Sequence, residues 1–400
     1  MVIKSIKLSN FRNFIKKDIE LSDGATVIVG DNAVGKTNIL EAIYLLAMGK
    51  SFKARLEREL INYDVDIARI KGSTRSKSIT GTTGMELEIV LTNGEVELHG
   101  GGVQRAQKKK LSVNGVSKRL IDFTGCLKVV LFGPWDMDLV TASPSLRRRF
   151  LDSVLSQTDR EYRRSLMIYE KGLRQRNRLL FRIRDEGVSR GQLMYWDRLL
   201  IKHGQYITQM RGEFIGYCNS NNGIMGYGLW GMGIDELKNE EIKINTNSKL
   251  PISNYQIEYD MSVISEGRLE QYKNEEVAAG MTLVGPHRDD FIIEITSNKK
   301  EIKKLRNKEI NKEERNLAIF GSRGEQRMGV LWLKLAELSY IESVTYDKPI
   351  LLLDDIFSEL DHEHREIVMG VCNNQQTIIT TADPHNVEGL TGIKKINIRR

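Results

Sequence analysis

Three short stretches hold residue types that could do chemistry together. The first, Gly30-Asp31-Asn32-Ala33-Val34-Gly35-Lys36-Thr37, fits the pattern G-x-x-x-x-G-K-[ST]. In such a loop the backbone N–H groups point inward and, with the start of the following helix, make a concave anion site. Lys36 would reach the β- and γ-phosphates of a nucleoside triphosphate, and the Thr37 hydroxyl would bind Mg²⁺. The second stretch is Asp354-Asp355, which follows the apolar run Ile350 to Leu353. Two carboxylates at the C-terminal end of a buried strand sit where open α/β sheets place their chemistry. Asp354 would hold Mg²⁺, and Asp355 would orient and activate the attacking water. Lys36, Asp354 and Asp355 are the expected catalytic set. The third stretch, Ser322-Arg323-Gly324-Glu325-Gln326, opens a helical pattern. Ser322 can cap that helix, and Gly324 lets a ligand approach the backbone closely.

The elements around these residues suit their tasks. "ATVIVG" is a short β-branched run that ends at Gly30, and Asn38 to Met48 has helical spacing. Strand, loop and helix therefore stand in the order a phosphate loop requires. "VIKSIKLSNF" alternates as a strand, and "GMELEIVL" and "GEVELHG" flank Asn93-Gly94 as a hairpin would. Thr74 to Thr83 is expected to be a polar loop, and Gly100 to Arg119 a flexible basic patch with six Lys/Arg and no acids. "CLKVVLF" reads as a buried strand. After Pro144 the texture changes. Leu155, Tyr162, Leu166, Tyr169, Leu173 and Leu180 recur at helical steps, and Gln192 to Tyr217 repeats the pattern. Residues 219 to 250 look like loop, "NYQIEYDMSV" and "FIIEIT" like strands, and 299 to 315 like a charged insertion. "ILLL" and "QTIITT" read as strands of a parallel sheet.

Composition sets outer limits. The chain has 400 residues, enough for two or three domains, and its net charge of +7 suits a polyanionic partner without requiring one. Cys126, Cys218 and Cys372 are far apart, which argues against a zinc or disulfide framework and for a reducing cytoplasm. The first residues interleave charges with apolar side chains, unlike a signal peptide, and no apolar run approaches the ~20 residues a membrane helix needs.

Order along the chain narrows the function. Ser322 to Gln326 resembles the signature of ABC-type ATPases, "SELD" (Ser358 to Asp361) matches their D-loop, and Thr380, Thr381 and His385 lie where a γ-phosphate-sensing switch belongs. "VVLFGPWDMDLVTASPSLRRRF", with its Arg-rich helix and later Gln-Arg-Asn, resembles the RecF family of recombination and repair ATPases. So do "TLVGPHRDDF" and "KLSNFRNF", and the resemblance covers nearly the whole chain. Ala33 stands where that family often has glycine, Trp135 where it usually has an acid, and the run 299 to 315 is longer than its usual loop.

The resemblance implies an α/β fold, an SMC-like P-loop ATPase head over 1–140 and 301–400, with an inserted, mainly helical lobe over 141–300. It implies that Ser322, Arg323, Gly324, Glu325 and Gln326 of one chain cap the ATP of another, so that ATP joins two copies. Ser358, Asp361 and Thr381 would act as D-loop and switch. Asp355 is one methylene shorter than the glutamate of faster relatives, so hydrolysis should be slow. The resemblance also implies cooperation with RecR and RecO in loading RecA at gapped DNA, in replication restart and SOS induction. Lys108, Lys109, Lys110, Arg147, Arg148 and Arg149 are the candidate DNA contacts, with no base-reading module. The rival reading is an SMC-type structural or nuclease-coupled ATPase head, which the lack of a long heptad arm disfavours. A transporter subunit would bring its signature much sooner after the phosphate loop, and the SRGEQ-to-SELD order does not favour a metabolic kinase.

Overall fold

The computed structural model describes residues 1–78, 81–97, 103–220, 255–296, 314–360, 362–387 and 392–399. These divide into two compact units. The first holds Met1–Asp136 and Glu337–Arg400, and the second lies within Met137–Ile224 and Glu241–Ala336.

The first unit contains two large sheets. One is antiparallel, in the order β2-β1-β4-β5-β8-β9. Its strands are β1 (Val2–Phe11), β2 (Phe14–Glu20), β4 (Ile67–Ser78), β5 (Gly81–Thr92), β8 (Lys109–Val113) and β9 (Val116–Lys118). A register shift between Ile3 and Ser5 puts Ile3 on the same buried face as Ile6 and Leu8, which strict alternation would not allow. The other sheet is parallel, in the order β10-β14-β15-β3-β16. It comprises β3 (Ala25–Val29), β10 (Val129–Phe132), β14 (Ile350–Asp354), β15 (Thr377–Thr381) and β16 (Lys394–Asn397). β10, β14 and β15 are buried at every position, as expected of a sheet covered on both faces. The apolar face of the helix Lys36–Met48, with Ile39, Ile43 and Leu46, joins Ile6, Leu8, Ile70, Ile89 and Leu352 in one core. That helix ends at Gly49, whose φ of 65° suits a left-handed cap and whose N–H bonds the Leu45 carbonyl.

Three expectations are corrected here. Thr74 to Thr83 is strand wherever it is described: β4 and β5 pair out to Ser78 opposite Gly81. Gly100 to Arg119 is not a flexible patch where it is described, because it supplies β8, β9 and a short strand β7 (Val103–Arg105). The chain does turn at Asn93-Gly94, but not into a hairpin. The following strand, β6 (Glu95–Glu97), pairs with β7, while β5 takes β8.

The second unit is built on three helices, Pro144–Thr158, Arg160–Glu186 and Met194–Asn219. Asp159 caps the middle one, accepting from the N–H groups of Glu161 (2.8 Å) and Tyr162 (3.1 Å). Tyr162, Tyr169 and Leu180 on one helix and Leu200, Ile207 and Phe214 on the next are buried, as the periodicity required. A small antiparallel sheet, β11 (Tyr255–Asp260), β12 (Asp290–Thr296) and β13 (Glu314–Asn316), completes the unit. Because β13 pairs with β12, the chain returns to the first unit at Glu337 and not at the expected 301. The boundary falls inside the continuous helix Arg323–Thr345. Residues 221–254 and 297–313, which include most of the expected loop and charged run, lie outside the described residues.

Candidate nucleotide-binding site

Strand register gathers the site. In the parallel sheet β15 lies between β14 and β3, with Asp354 opposite Thr380 and Thr380 opposite Ile28. All these strands run the same way, so Val29, Asp354 and Thr381 end at one edge of the sheet. The phosphate loop leaves β3 at that edge, and Asp354 and Asp355 leave β14 beside it.

The loop is held in shape from several sides. Gly35 has φ 103°, and a Cβ there would come within 2.6 Å of the Asn13 side chain and 2.8 Å of the Phe14 ring. Only glycine meets both demands. Asn13 Nδ2 donates to the Val34 carbonyl at 2.9 Å, and Asn38 Nδ2 donates to Asn13 Oδ1 at 2.8 Å. Asp31, Asn32 and Ala33 form the exposed crest of the loop. Ala33 adopts φ 66°, a left-handed conformation that costs an alanine roughly 1–2 kcal/mol. The residue that departs from the family's glycine is thus the one where glycine would relieve strain.

Lys36 is buried, and its Nζ donates to the carbonyls of Gly30 (2.6 Å) and Asp31 (2.9 Å). Thr37 Oγ1 meets both Asp354 oxygens, at 3.0 and 2.8 Å. Thr380 Oγ1 donates to Asp354 Oδ1 at 2.6 Å and lies 3.2 Å from the Asp355 N–H. Asp355 sits at φ 52°, a conformation aspartate tolerates better than most residues. Burial pushes its carboxyl above the ordinary carboxylate range; the charge of Lys36 opposes this and that of Asp354 adds to it. A hydroxyl and a carboxylate already in contact are hard oxygen donors of the kind Mg²⁺ takes.

The other expected residues fall differently. Ser322 and Glu325 form a reciprocal cap on the helix Arg323–Thr345: the Ser322 N–H donates to Glu325 Oε2 at 2.7 Å, and the Glu325 N–H to Ser322 Oγ at 3.3 Å. Gln326 Nε2 donates to the carbonyls of Leu317 and Gly321, both at 3.2 Å. Ser322 to Glu325 are exposed. Ser358 Oγ donates to the Asp355 carbonyl at 2.7 Å, whereas Asp361 lies outside the described residues. Thr381 turns its hydroxyl to the Asp383 carbonyl at 2.9 Å, so Thr380, not Thr381, faces the Asp pair. His385 is exposed and donates its N–H to Asp383.

Among the candidate DNA contacts, Arg147 is withdrawn from solvent. It forks onto Asp290 at 2.7 and 2.9 Å and donates to the Ala142 carbonyl. Lys109 is tied to Glu57 and to the Gly49 carbonyl, whereas Lys108 and Lys110 are exposed. Arg148 is half-buried and Arg149 exposed.

Sequence reasoning missed two supports. Arg12 forks onto the buried Glu41 of the loop's helix at 2.8 and 2.7 Å. Trp135 stacks on Phe52 (centroids 5.1 Å apart), and Phe52 meets Tyr44 edge-on at 5.3 Å. "NFRNF" carried the first signal, since Arg12 and Asn13 lie in it. Among the described residues no helix is long and apolar enough to cross a membrane.

Residues 2–399 match the family model for the RecF/RecN/SMC N terminal domain. The DNA replication and repair protein RecF of Bacillus thuringiensis (strain Al Hakam) is 35% identical over 395 residues, covering 97% of this chain and 94% of that protein. RecF of Bacillus cereus (strain B4264) is similar to the same extent. Two solved structures of the recombination mediator protein RecF in the RecFOR pathway superpose with a TM-score of 0.75. The one with ATP is 29% identical and covers 98% of this chain and 95% of its own; the other is 28% identical, with 99% and 96% covered.

Proposed function

The chain belongs to the RecF family, and from that premise we propose that it is an ATP- and DNA-binding recombination-repair protein that uses ATP as a switch. The observation that carries this reading is the Thr37–Asp354–Thr380 cluster beside Lys36, assembled from three strand ends. Lys36 would exchange its loop carbonyls for the β- and γ-phosphate oxygens. Thr37 and Asp354 would hold Mg²⁺, which offsets phosphate charge when bound. Asp355, with its raised carboxyl, would orient the attacking water and accept its proton. Its short side chain holds that water less well than a glutamate would, so turnover is slow.

The second half of the site would come from another copy. Gly324 supports this, because among the described residues a Cβ there would meet nothing closer than Ser322 Oγ at 4.0 Å. No described neighbour therefore requires glycine here, a residue with poor helix propensity. An approaching nucleotide would account for it. Ser322 to Gln326 would cap the ATP of the partner, and Ser358 would help join the two copies. Exposed Lys108 and Lys110 and the Arg148–Arg149 pair would meet DNA phosphates without reading sequence. The solved relatives are recombination mediators of the RecFOR pathway, which supports RecR and RecO as partners. RecA loading at gapped DNA, replication restart and SOS induction are the roles this reading assigns to that partnership. Ser322→Arg is expected to leave ATP binding by the monomer intact and to abolish ATP-dependent dimerisation. Normal dimerisation of this variant by light scattering refutes the shared site.

A further inference from the structure

The helical unit contains a cavity of about 170 Å³ that the nucleotide site does not use. Its wall includes Ser145, Arg148, Arg149, Tyr169, Glu170 and His287, with Asp152 and Arg211 deeper in. The carboxylates around it are mostly committed. Asp152 Oδ1 accepts from Arg211 Nη2 at 2.7 Å and from the Tyr162 hydroxyl at 2.5 Å. Asp289 accepts from Arg211, from the Tyr259 hydroxyl and from the Ser262 N–H, and Asp290 is forked by Arg147.

The neighbouring cations are not matched in the same way. Arg148 donates to a carbonyl, that of Asp289, at 2.7 Å. Burial, and then the charge of Arg211, hold its guanidinium below its ordinary basicity; Asp290, Asp289 and Asp152 oppose this through space, but none of them forms an ion pair with it. Arg149 makes no hydrogen bond or ion pair with any described residue. Ser145 lies in the first turn of the helix Pro144–Thr158, where the helix dipole adds positive potential. His287 adds no charge. Its Nε2 lies 3.0 Å from the Thr282 carbonyl, which can only accept, so Nε2 is the protonated nitrogen and Nδ1 accepts from the Tyr169 hydroxyl at 2.8 Å. Burial pushes its pKa down to about 4, so it is neutral near pH 7. The one wall carboxylate without a partner among the described residues is Glu170, exposed on the rim.

We propose that this cavity seats a single phosphoryl group, held by Arg148 and Arg149 with the Ser145 hydroxyl as a further donor. Two guanidinium groups and a helix N-terminus suit a dianion, and a half-open pocket of this size has room for one phosphate; where that phosphate belongs to DNA, the seat rests on the DNA-binding reading above. Such a group could be free phosphate or the terminal phosphate of a nucleic-acid strand. The seat requires neither ATP binding nor dimerisation.

The test uses the full chain carrying Lys36→Ala, which silences the phosphate loop. Calorimetry would follow orthophosphate, a short 5′-phosphorylated single strand and its 5′-hydroxyl counterpart. A phosphorylated probe should bind, and Arg149→Gln should weaken it about tenfold or more, the loss of a charge-assisted hydrogen bond. Glu170→Gln should tighten it several-fold. Arg149 is exposed, so an unchanged melting curve separates lost binding from lost fold. Orthophosphate binding as well as the phosphorylated strand assigns a free anion; preference for that strand over both other probes assigns a strand end. Lack of binding by either phosphorylated probe, or binding indifferent to Arg149→Gln, overturns the proposal.

Discussion

The phosphate loop and the Arg147–Arg211 region both bury cations, yet they use them in opposite ways. At the loop, Lys36 bonds carbonyl oxygens and, among the described residues, no carboxylate, so its charge can be turned to an incoming phosphate. In the helical unit, Arg147, Arg176 and Arg211 are each fixed to carboxylates: Arg147 to Asp290, Arg176 to Asp197 and Glu276, Arg211 to Asp152 and Asp289. The first arrangement holds a charge ready; the second neutralises charge to build a fold. Basic composition alone does not separate the two. The position of the acids does.

Breaking the structural side of that contrast should have the largest effect. Arg211→Ala leaves Asp152 and Asp289 without the cation that bonds them and should cost about 3–5 kcal/mol of unfolding free energy by urea titration. A loss under 1 kcal/mol would show that the cluster is not structural. On the other side, Asp355→Asn keeps side-chain size and suits the left-handed backbone at this position. It should lower ATP hydrolysis about 100-fold while ATP binding persists, as single-turnover assays would show. Retained hydrolysis would remove Asp355 from the base role. The smallest effect sharpens the contrast at the surface. Changing Lys108 and Lys110 to Gln should reduce the salt slope of DNA binding by about 0.9 for each lost phosphate contact. Lys109→Gln, already paired with Glu57, should leave the slope nearly unchanged.

What was legible in the sequence was local. Gly30 to Thr37 declared its loop because strand, glycines and helix lie within about twenty residues, and the apolar run before Asp354 declared its strand. The capping role of Ser322 could be read from Glu325 three positions on. What was illegible depended on distant partners. The fate of Arg147 is set by Asp290, far along the chain, and nothing in "SLRRRF" distinguishes it from Arg149. The pairing of β6 with β7, and not with β5, was hidden because an Asn-Gly turn specifies a reversal but not which strands meet. Thr380 and Thr381 differ in role only because alternate residues of β15 face opposite ways.

The brace that Asn13 and Asn38 provide behind the phosphate loop has an entropic consequence. Ordering a free backbone costs about 1–2 kcal/mol per residue. Here Asn13 grips the Val34 carbonyl from a strand-end turn, Asn38 grips Asn13, and Lys36 ties the near side of the loop to itself. The loop's disorder is therefore removed when the domain folds and not when a ligand arrives. Binding free energy at this site is left to discriminate between ligands, because little of it is consumed in arranging the protein.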